Sequence, residues 1–366
     1  MFKCEEIDGV PALPHVQTCS CCPTLSRRSF LTNASAAAAG VVLGPTVARA
    51  EPAAAPSGPS KPHRIDIHHH IVPPYWIKEK KDAIIGDHAG ISNSWFLQWT
   101  PARMIEQMDR NGIATVATSL TTPAVWFGNA EEARRLSREC NDYSAKLSRD
   151  YPGRVAVFAA IPLPDVEGSL KEIEYVFDVL KVDGVGFLTS YEGKYPGNKA
   201  WAPVFDELNR RKAVVFFHPA SPACCAHVVD GIPPAVEEFQ FDSTRAITNL
   251  LFSGTFARCP DIKFIFTHGG GALPMLAGRI ARRSERKTAM AELQRLHFDT
   301  ASITNASAMA GLLALVKPSQ VMFGSDYPIL PFGPSISELR ALNFPSDVLD
   351  AIERKSALAL LPRFAG

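Results

Sequence analysis

Segments typical of strands and segments typical of helices alternate from residue 64 onward, and this alternation limits the possible folds more than any other feature. Several strand-like segments are nearly continuous apolar runs, for example 213–217 and 262–266. Such runs are typical of parallel strands that are covered on both faces. The predicted strands are 64–70, 114–121, 154–162, 184–190, 213–219, 262–268, 297–301 and 320–327. Strand–helix repeats of this kind predict an α/β fold, a single (β/α)8 TIM barrel whose active site lies at the C-terminal ends of the strands.

Helical patterns occupy the intervals between the predicted strands, and two further segments lie outside the repeats. The predicted helices are 101–111, 131–149, 168–181, 200–212, 243–257, 273–287 and 305–316. An insertion at 73–100, rich in Pro and Trp, follows the first strand and could cover the mouth of the barrel. The tail 334–362 is expected to add one or two helices outside the barrel. The barrel therefore extends over 64–366 and needs no second domain, because a single barrel often exceeds about 250 residues.

Residues 1–50 are typical of a targeting segment rather than of a folded domain. Arg27 and Arg28 precede a mild apolar run at 34–47, and a small-x-small ending at 48–50 suggests cleavage before Glu51. The arginine pair resembles a twin-arginine export signal, which implies a periplasmic protein. An uncleaved membrane anchor is the alternative, but the apolar run is short and rich in alanine.

Composition limits the partners and the disulfide chemistry of the chain. Residues 51–63 form a Pro/Ala-rich linker that cannot pack a core. A formal net charge of +1 gives no reason to expect nucleic acid or an acidic membrane surface as a partner. The cysteines outside the leader are too few for a disulfide scaffold. Two of them, Cys224 and Cys225, are adjacent, and we expect inert thiols there rather than a vicinal disulfide or a metal contact.

Histidine or aspartate residues stand at the ends of several predicted strands. The first strand ends in a run of histidines that includes His68 and His70, and later strands end at His218, His268 and Asp326. Two imidazoles about 7 Å apart along one strand face can converge on one divalent ion, which accepts neutral nitrogen ligands. Because the C-terminal ends of barrel strands meet at one face, these residues predict a metal site there.

Strict alternation along the first strand would divide its side chains between two faces. Asp66, His68 and His70 would share one face, while Ile67 and His69 would lie on the other. Asp66 is therefore a candidate for orienting a ligand histidine, and a buried structural ion pair is the alternative role.

These motifs resemble those of the amidohydrolase superfamily. The matching elements are Asp-x-His-x-His at 66–70, His-Pro at 218–219, His-Gly-Gly-Gly at 268–271 and Phe-Gly-Ser-Asp-Tyr-Pro at 323–328. More narrowly, they are similar to the decarboxylase branch, which includes aminocarboxymuconate-semialdehyde decarboxylase and γ-resorcylate decarboxylase. Within that branch, 183–191 and 209–219 are similar to 6-methylsalicylate decarboxylase. The resemblance covers nearly all of the chain after the leader.

The resemblance implies one divalent metal ion, zinc or alternatively manganese, and it assigns roles to the residues at the strand ends. The implied metal ligands are His68, His70, His218 and Asp326. A single ion is implied because Thr189 and its neighbours, rather than a lysine, end the fourth strand. His268 corresponds to the catalytic histidine of the family, and a role as a fourth histidine ligand is the alternative. Asp326 would both bind the metal and pass a proton.

Four further side chains are weaker candidates for contacts with a substrate. Trp126, Phe127 and Tyr191 follow predicted strands two and four, where an aromatic substrate could stack, although packing is the more common role of such residues. Arg103 could pair with a substrate carboxylate, but it opens a predicted helix and simple solvation is the alternative.

The leading functional hypothesis is metal-dependent, non-oxidative decarboxylation of a small aromatic acid, such as a salicylate-type acid, or of a dienoic acid. The carbon that bears the carboxylate would be protonated and CO2 lost, so we expect a carbon–carbon lyase. A lactonase or amidohydrolase that uses metal-bound hydroxide is the alternative, because the same ligands would serve it. An exported metal-binding protein without catalysis is a third hypothesis, against which the open coordination site argues. We also expect a homo-oligomer, either a dimer or a tetramer.

Overall fold

The computed structural model describes residues 62–87, 94–222, 224–225 and 228–365. These residues belong to one unit, Ser57–Gly366. The predicted leader at 1–50 and the linker up to residue 61 lie outside the described residues. Within the described part of the chain, no helix is long and apolar enough to span a bilayer.

Eight parallel strands form one sheet in which the strands pair in chain order from β1 to β8. The strands are β1 Arg64–His70, β2 Ile113–Ser119, β3 Val155–Ala160, β4 Gly184–Leu188, β5 Val214–His218, β6 Lys263–Phe266, β7 His297–Asp299 and β8 Val321–Met322. Backbone hydrogen bonds from Ile67 to Phe323 and from His70 to Tyr327 connect β1 with the segment after β8. The sheet therefore curls into a (β/α)8 barrel, which confirms the predicted fold class.

Helices connect the strands and cover the outside of the barrel. Those before β5 are α1 Pro74–Asp87, α2 Ser94–Leu97, α3 Pro101–Arg110, α4 Ala130–Asp150, α5 Val166–Tyr175 and α6 Ala202–Arg210. Those after β5 are α7 Glu238–Phe252, α8 Thr255–Arg258, α9 Leu273–Arg283, α10 Ala289–Leu293, α11 Ala306–Leu315, α12 Phe332–Ala341, α13 Ser346–Asp350 and α14 Ser356–Leu360. Several helices begin where a capping side chain accepts a hydrogen bond from a backbone N–H of the first turn. These caps are Thr100, Asn129, Asp165 and Asn305.

Alternate residues of the strands belong to two different apolar layers. In β5, Val214 and Phe216 belong to the cluster that fills the barrel, whereas Val215 and Phe217 pack between the sheet and the helices. The interior cluster also contains Ile65, Ile67, Ala117, Ala156, Phe158, Ile265 and Met322. The continuous apolar runs of the sequence follow from this arrangement, because both faces of each strand are covered.

The C-terminal helices lie outside the eight strands, as the sequence predicted, and they close the N-terminal end of the barrel. Ala357, Leu361 and Phe364 pack against the interior cluster. A buried ion pair between Arg64 Nε and Glu353 Oε1, 2.6 Å apart, joins this tail to the first residue of β1. The tail thus covers the end of the barrel where the strands begin, and the opposite end is left for the candidate site.

Candidate metal centre

Four buried side chains converge where the strands end, namely His68, His70, His218 and Asp326. Their candidate ligand atoms all lie within 4.8 Å of one another. The Nε2 atoms of His68 and His70 are 3.2 Å apart, and Asp326 Oδ1 lies 3.3 Å from the first and 3.0 Å from the second. Imidazole nitrogens together with a carboxylate oxygen suit a divalent transition metal ion. The structure therefore indicates a divalent metal site at the face where the sequence predicts one.

A second polar contact orients the rings of two of these histidines. His68 Nδ1 lies 2.9 Å from Asp299 Oδ2, and His218 Nδ1 lies 2.8 Å from the carbonyl oxygen of Pro219. When Nδ1–H donates to these oxygens, Nε2 carries the lone pair that a metal ion needs. Both contacts therefore favour the tautomer that coordination requires.

Asp299 is a site residue that sequence analysis missed. It ends β7 and is fully buried. Its Oδ1 accepts hydrogen bonds from the backbone N–H groups of His268 (2.9 Å) and Ala301 (3.0 Å), while Oδ2 contacts His68. One carboxylate therefore connects the first strand with the turn that carries His268. The signal was present in the sequence, because an acidic residue ends an apolar strand here just as Asp326 follows another.

Asp66 does not orient a ligand ring, contrary to one of the two roles considered for it. The pairing of β1 with β2 shifts between Asp66 and His69, and such a bulge breaks strict alternation. Asp66 instead accepts hydrogen bonds from the backbone N–H of His68 (3.1 Å) and from the N–H and hydroxyl of Ser325 (3.0 and 2.6 Å). It thereby holds the backbone of β1 against the segment that carries Asp326, and His69 Nδ1 lies 3.4 Å from it.

The buried imidazoles and carboxylates shift one another's pKa values. Burial lowers the pKa of His68, but the carboxylates of Asp299 and Asp326 outweigh burial and raise this pKa to about 10, so a metal ion that binds Nε2 would displace a proton. Burial, together with the nearby His70, holds the pKa of His218 well below its usual value, so that imidazole is neutral as a metal ligand must be. Burial alone would raise the pKa of Asp326, but His68 and His70 hold it well below its ordinary range. Asp326 is therefore an anionic ligand at neutral pH.

His268 lies beside the cluster, in the turn His268–Gly270 that follows β6. Its ring centroid is 5.0 Å from that of His68, and its Nδ1 is 2.9 Å from the carbonyl oxygen of Ala301. With His68 and Asp299 it forms a second group of potential ligands, so the geometry is compatible with both roles considered for it. His268 and Asp326 have left-handed φ angles of 51° and 66°, which are uncommon outside glycine and concentrate at functional sites.

A cavity of about 600 Å³ opens beside the cluster. His218, His268 and Asp326 form part of its wall. The rest of the wall is mainly apolar. Its apolar side chains come chiefly from α7 and from the segments after β5, β7 and β8, and they include Val236, Phe239, Phe241, Ile303, Ile329 and Leu330. A cavity of this size and composition fits one small ligand whose polar groups face the metal site.

Comparison with known proteins identifies the family of the chain. A sequence model described as amidohydrolase matches residues 65–363. The chain belongs to the amidohydrolase family. This result confirms the family that the strand-end motifs predicted.

Relatives of this amidohydrolase include several decarboxylases. Decarboxylase yanB of Aspergillus niger is 34% identical over 328 residues, which cover 82% of this chain and 88% of the relative. The 6-methylsalicylic acid decarboxylase of Penicillium expansum is 31% identical over 321 residues, which cover 83% and 97% of the two chains. A solved structure of 5-carboxyvanillate decarboxylase from Novosphingobium aromaticivorans, complexed with manganese and a nitrobenzoic acid, has a TM-score of 0.72 at 21% identity and covers 82% and 96%. The similarity to this last structure supports the fold.

The cavity of this amidohydrolase is not lined by the side chains that the sequence suggested for substrate contacts. Trp126 Nε1 donates to Glu192 at 3.0 Å, and the Tyr191 hydroxyl accepts a hydrogen bond from a backbone N–H of β4 at 2.9 Å. Arg103 Nη1 donates to Gln98 at 2.7 Å. Trp126 and Tyr191 follow β2 and β4 as predicted and Arg103 lies in α3, but all three make other contacts, and α7 supplies the aromatic wall.

The described residues of the insertion after β1 pack away from the cavity. None of the described residues of 73–100 lines the cavity. Trp76 is buried and packs near Phe96, and its Nε1 donates to the carbonyl oxygen of Ala124 at 2.7 Å. Phe127 packs under the ammonium group of Lys80, 4.7 Å from the ring centroid. These described residues therefore pack against the segment after β2.

Thr189 follows β4 at the position where the sequence offers no lysine. Its hydroxyl donates to Asp242 Oδ2 at 2.5 Å. This hydrogen bond directs the Thr189 side chain to α7 rather than to the candidate metal ligands. Because the side chain at this position bonds to α7, it does not supply a ligand that could bridge two metal ions. The arrangement therefore favours a single ion.

The prediction for the adjacent cysteines is wrong. Cys224 and Cys225 form a vicinal disulfide in the segment between β5 and α7, where inert thiols were expected. Cys140 and Cys259 are buried thiols, and burial raises the pKa of Cys259 to about 11. These two cysteines are therefore poor nucleophiles at neutral pH.

Proposed function

We propose that this amidohydrolase is a metal-dependent, non-oxidative decarboxylase of a small aromatic acid with a hydroxyl group ortho to the carboxylate. One observation carries the proposal: a buried cluster of three histidines and an aspartate borders an apolar cavity, with His218 and Asp326 in the cavity wall. Relatives at 34% and 31% identity are decarboxylases, and they confirm the expected class of carbon–carbon lyase. The name of the second relative makes 6-methylsalicylic acid the first substrate to test.

We assign the binding of one divalent ion to His68, His70, His218 and Asp326. When bound, the ion stabilises negative charge on the phenolate oxygen and orients the carboxylate. Three nitrogens and one oxygen suit zinc. The manganese in the structure of 5-carboxyvanillate decarboxylase supports manganese as the alternative. Metal analysis of the purified protein distinguishes the two ions.

The side chains around the cavity perform the remaining steps. Phe239 and Ile303 lie where the substrate ring can pack. His268 and Asp326 share the polar wall, so we assign to them the transfer of a proton to the ring carbon that bears the carboxylate. The bond between this carbon and the carboxylate then breaks, its electron pair returns to the ring, and CO2 leaves. Protonation comes first because direct loss of CO2 would leave an unstable aryl anion in the plane of the ring.

Two other possible functions account for fewer features of the site. A hydrolase would use the same ligands to activate water for attack on a carbonyl, but the relatives named above are decarboxylases. A metal-binding protein without catalysis needs neither the cavity beside the cluster nor His268 in its wall. Decarboxylation uses all of these features.

Turnover of ortho-hydroxybenzoates by the purified, metal-analysed protein in deuterated water tests the proposal. We expect salicylate or 6-methylsalicylate to release CO2 and the product to carry one deuterium at the former carboxyl position. The matched control is 4-hydroxybenzoate, which we expect to be inert because its hydroxyl cannot reach the metal together with the carboxylate. No release of CO2 from any ortho-hydroxybenzoate, together with cleavage of a lactone that places oxygen from 18O-labelled water in the product, would establish a hydrolase instead.

We further propose export by a twin-arginine-type signal in 1–50 and assembly as a homo-oligomer, a dimer or a tetramer. The adjacent Arg27 and Arg28 support the first proposal. Exposed apolar side chains between β5 and α7 support the second, because Val228 and Val229 are 68% and 49% exposed. Light scattering on the purified protein measures the oligomeric state.

A further inference from the structure

The first turn of α7 forms the aromatic wall of the cavity. Phe239, Gln240 and Phe241 line the cavity, and the Phe239 ring centroid is 6.3 Å from that of the ligand candidate His218. The position of this turn therefore sets the distance between an aromatic substrate and the metal site. The contacts that hold the turn are consequently candidates for control of substrate binding.

Asp242 is a buried carboxylate that lies one position beyond this wall and has no part in the proposed proton transfer. It has no exposed surface. Its Oδ2 accepts hydrogen bonds from the hydroxyls of Thr189 (2.5 Å) and Ser190 (3.1 Å), and its Oδ1 accepts one from Tyr195 (2.6 Å). A buried carboxylate with three hydroxyl donors is held in one orientation, because hydrogen bonds to a charged group are short and strong. Asp242 thus ties α7 to the segment after β4.

The same hydrogen bonds extend to the metal site through one hydroxyl. Thr189 Oγ1, which donates to Asp242, also accepts a hydrogen bond from the backbone N–H of Ala220 at 2.9 Å. Ala220 lies two residues after His218 in the chain. Asp242 therefore connects the cavity wall with the backbone that carries a candidate metal ligand.

The opposite side of the α7 turn is held by the segment that follows His268. Thr244 Oγ1 accepts a hydrogen bond from the backbone N–H of Ala272 at 2.9 Å. Gly271 lies so close to the turn that a Cβ there would be 1.9 Å from the carbonyl oxygen of Gln240. With this side already in tight contact, loss of the bonds to Asp242 would release the turn on the side that faces β4.

We propose that Asp242 is a positioning residue for substrate binding. It holds Phe239 and Gln240 at the distance from the four candidate metal ligands that an ortho-hydroxybenzoate requires. The inference rests on the proposed function. Asp242 touches neither substrate nor metal, and it acts through the turn that it holds. Its loss therefore weakens substrate binding more than it changes metal content.

Steady-state kinetics of the holoenzyme with the best ortho-hydroxybenzoate tests the proposal. We expect Asp242→Ala and Thr189→Val to retain one metal ion per chain and to lose about 10–100-fold in kcat/KM, mainly through KM. Thr189→Ser restores the hydroxyl, and we expect its KM to return close to that of the wild type. Thr189→Val leaves the carboxylate in place, so it tests the proposal even where Asp242→Ala gives no folded protein.

Glu292→Gln is the matched control for a purely structural carboxylate. Glu292 is also buried and accepts hydrogen bonds from Arg286 (2.8 Å) and from the Thr288 hydroxyl (2.6 Å), but it does not line the cavity. We expect this variant to lower the melting temperature and to leave KM unchanged. A wild-type KM in Thr189→Val, or an equal rise of KM in Glu292→Gln, would overturn the positioning role.

Hydrogen exchange separates failure of this inference from failure of the proposed function. If the metal-loaded wild type releases CO2 from no ortho-hydroxybenzoate, the proposed function is wrong. Exchange over 238–241 still tests the positioning contact, and we expect it to be faster in Thr189→Val than in Glu292→Gln. Equal exchange in the two variants would overturn the inference on its own.

Discussion

At the scale of single residues, the contact made by Nδ1 is known for several of the site histidines. His68 and His218 direct Nδ1 to Asp299 and to the Pro219 carbonyl, which leaves Nε2 for a metal ion. His268 directs Nδ1 to the Ala301 carbonyl, yet it also lines the cavity. All three rings are therefore oriented by a hydrogen bond at Nδ1. This contact does not distinguish a metal ligand from an acid–base catalyst, so metal content and activity must be measured.

A pair of alanine variants separates the two roles. We expect His218→Ala to lose most of its metal and its activity, because one of four ligands is removed. We expect His268→Ala to retain the metal but to lose about 10²–10⁴-fold in rate, because a proton-transfer group is removed. Metal analysis and turnover of the same preparations provide the measurement. Equal loss of metal in both variants would identify His268 as a ligand.

Removal of the charge on Asp299 should weaken the metal site without removing a ligand. We expect Asp299→Asn to lower metal affinity about 10–100-fold, because His68 loses the carboxylate that orients its ring and raises its basicity. Competition with a chelator measures the affinity. The control is Glu172→Gln, a buried carboxylate that bonds to Arg138 and Asn141 instead of a site histidine. Equal affinity of the two variants for metal would remove Asp299 from the site.

At the scale of elements, the cavity depends on how closely α7 approaches the turn after β6. The approach requires a residue without a side chain at Gly271, whose φ is 66° and whose Cβ would meet the Gln240 carbonyl. On the other side of the barrel, a bulge in β1 lets Asp66 bond to the segment that carries Asp326. Both are local features of the backbone, and they bring residues of the candidate site and of the cavity wall together from different strands.

Substitution of Gly271 tests the close approach of α7. We expect Gly271→Ala to lower the free energy of unfolding by about 2 kcal/mol or more and to reduce activity, because the methyl group adds a clash to the strain of a left-handed φ. Gly153→Ala is the matched control, since Gly153 has a φ of 76° and a Cβ there would meet nothing within 4 Å. Denaturant titration of both variants measures the difference. Equal destabilisation would show that strain alone, and not the clash, matters at Gly271.

At the scale of the whole molecule, one end of the barrel stabilises the fold and the other carries the candidate site. The tail closes the end where the strands begin, with Leu361 and Phe364 against the interior and Glu353 bonded to Arg64. The end where the strands finish carries the four candidate metal ligands and the cavity. This division allows the loops around the site to differ from those of other barrels while the closed end maintains the fold.

The targeting segment proposed for 1–50 can be tested independently of the enzyme. We expect Arg27→Lys combined with Arg28→Lys to keep the precursor in the cytoplasm, because recognition of a twin-arginine signal depends on the pair. Cell fractionation followed by immunoblotting measures the distribution. The matched control is a lysine substitution at Arg49, close to the proposed cleavage site but outside the pair. Unchanged periplasmic yield of the double variant would exclude this type of signal.

The sequence by itself determined the barrel and the candidate ligand set. Both depend on local patterns, since apolar runs mark strands covered on both faces and polar residues at strand ends meet at one face of a barrel. The resemblance to the amidohydrolase superfamily then selected His68, His70, His218 and Asp326 as the ligands, and the structure brings their candidate ligand atoms within 4.8 Å of one another. The amidohydrolase family followed from the same residues.

Only the tertiary structure decided which groups orient those residues and which side chains line the cavity. Asp299 orients His68 across a separation of 231 residues, and Thr189 meets Asp242 across 53, so no local pattern reports either contact. The bulge in β1 changed the face of Asp66, although the alternation in the sequence was regular. The cavity wall comes from α7 rather than from the aromatic residues after β2 and β4, because backbone packing, not strand order, decides which side chains reach the site.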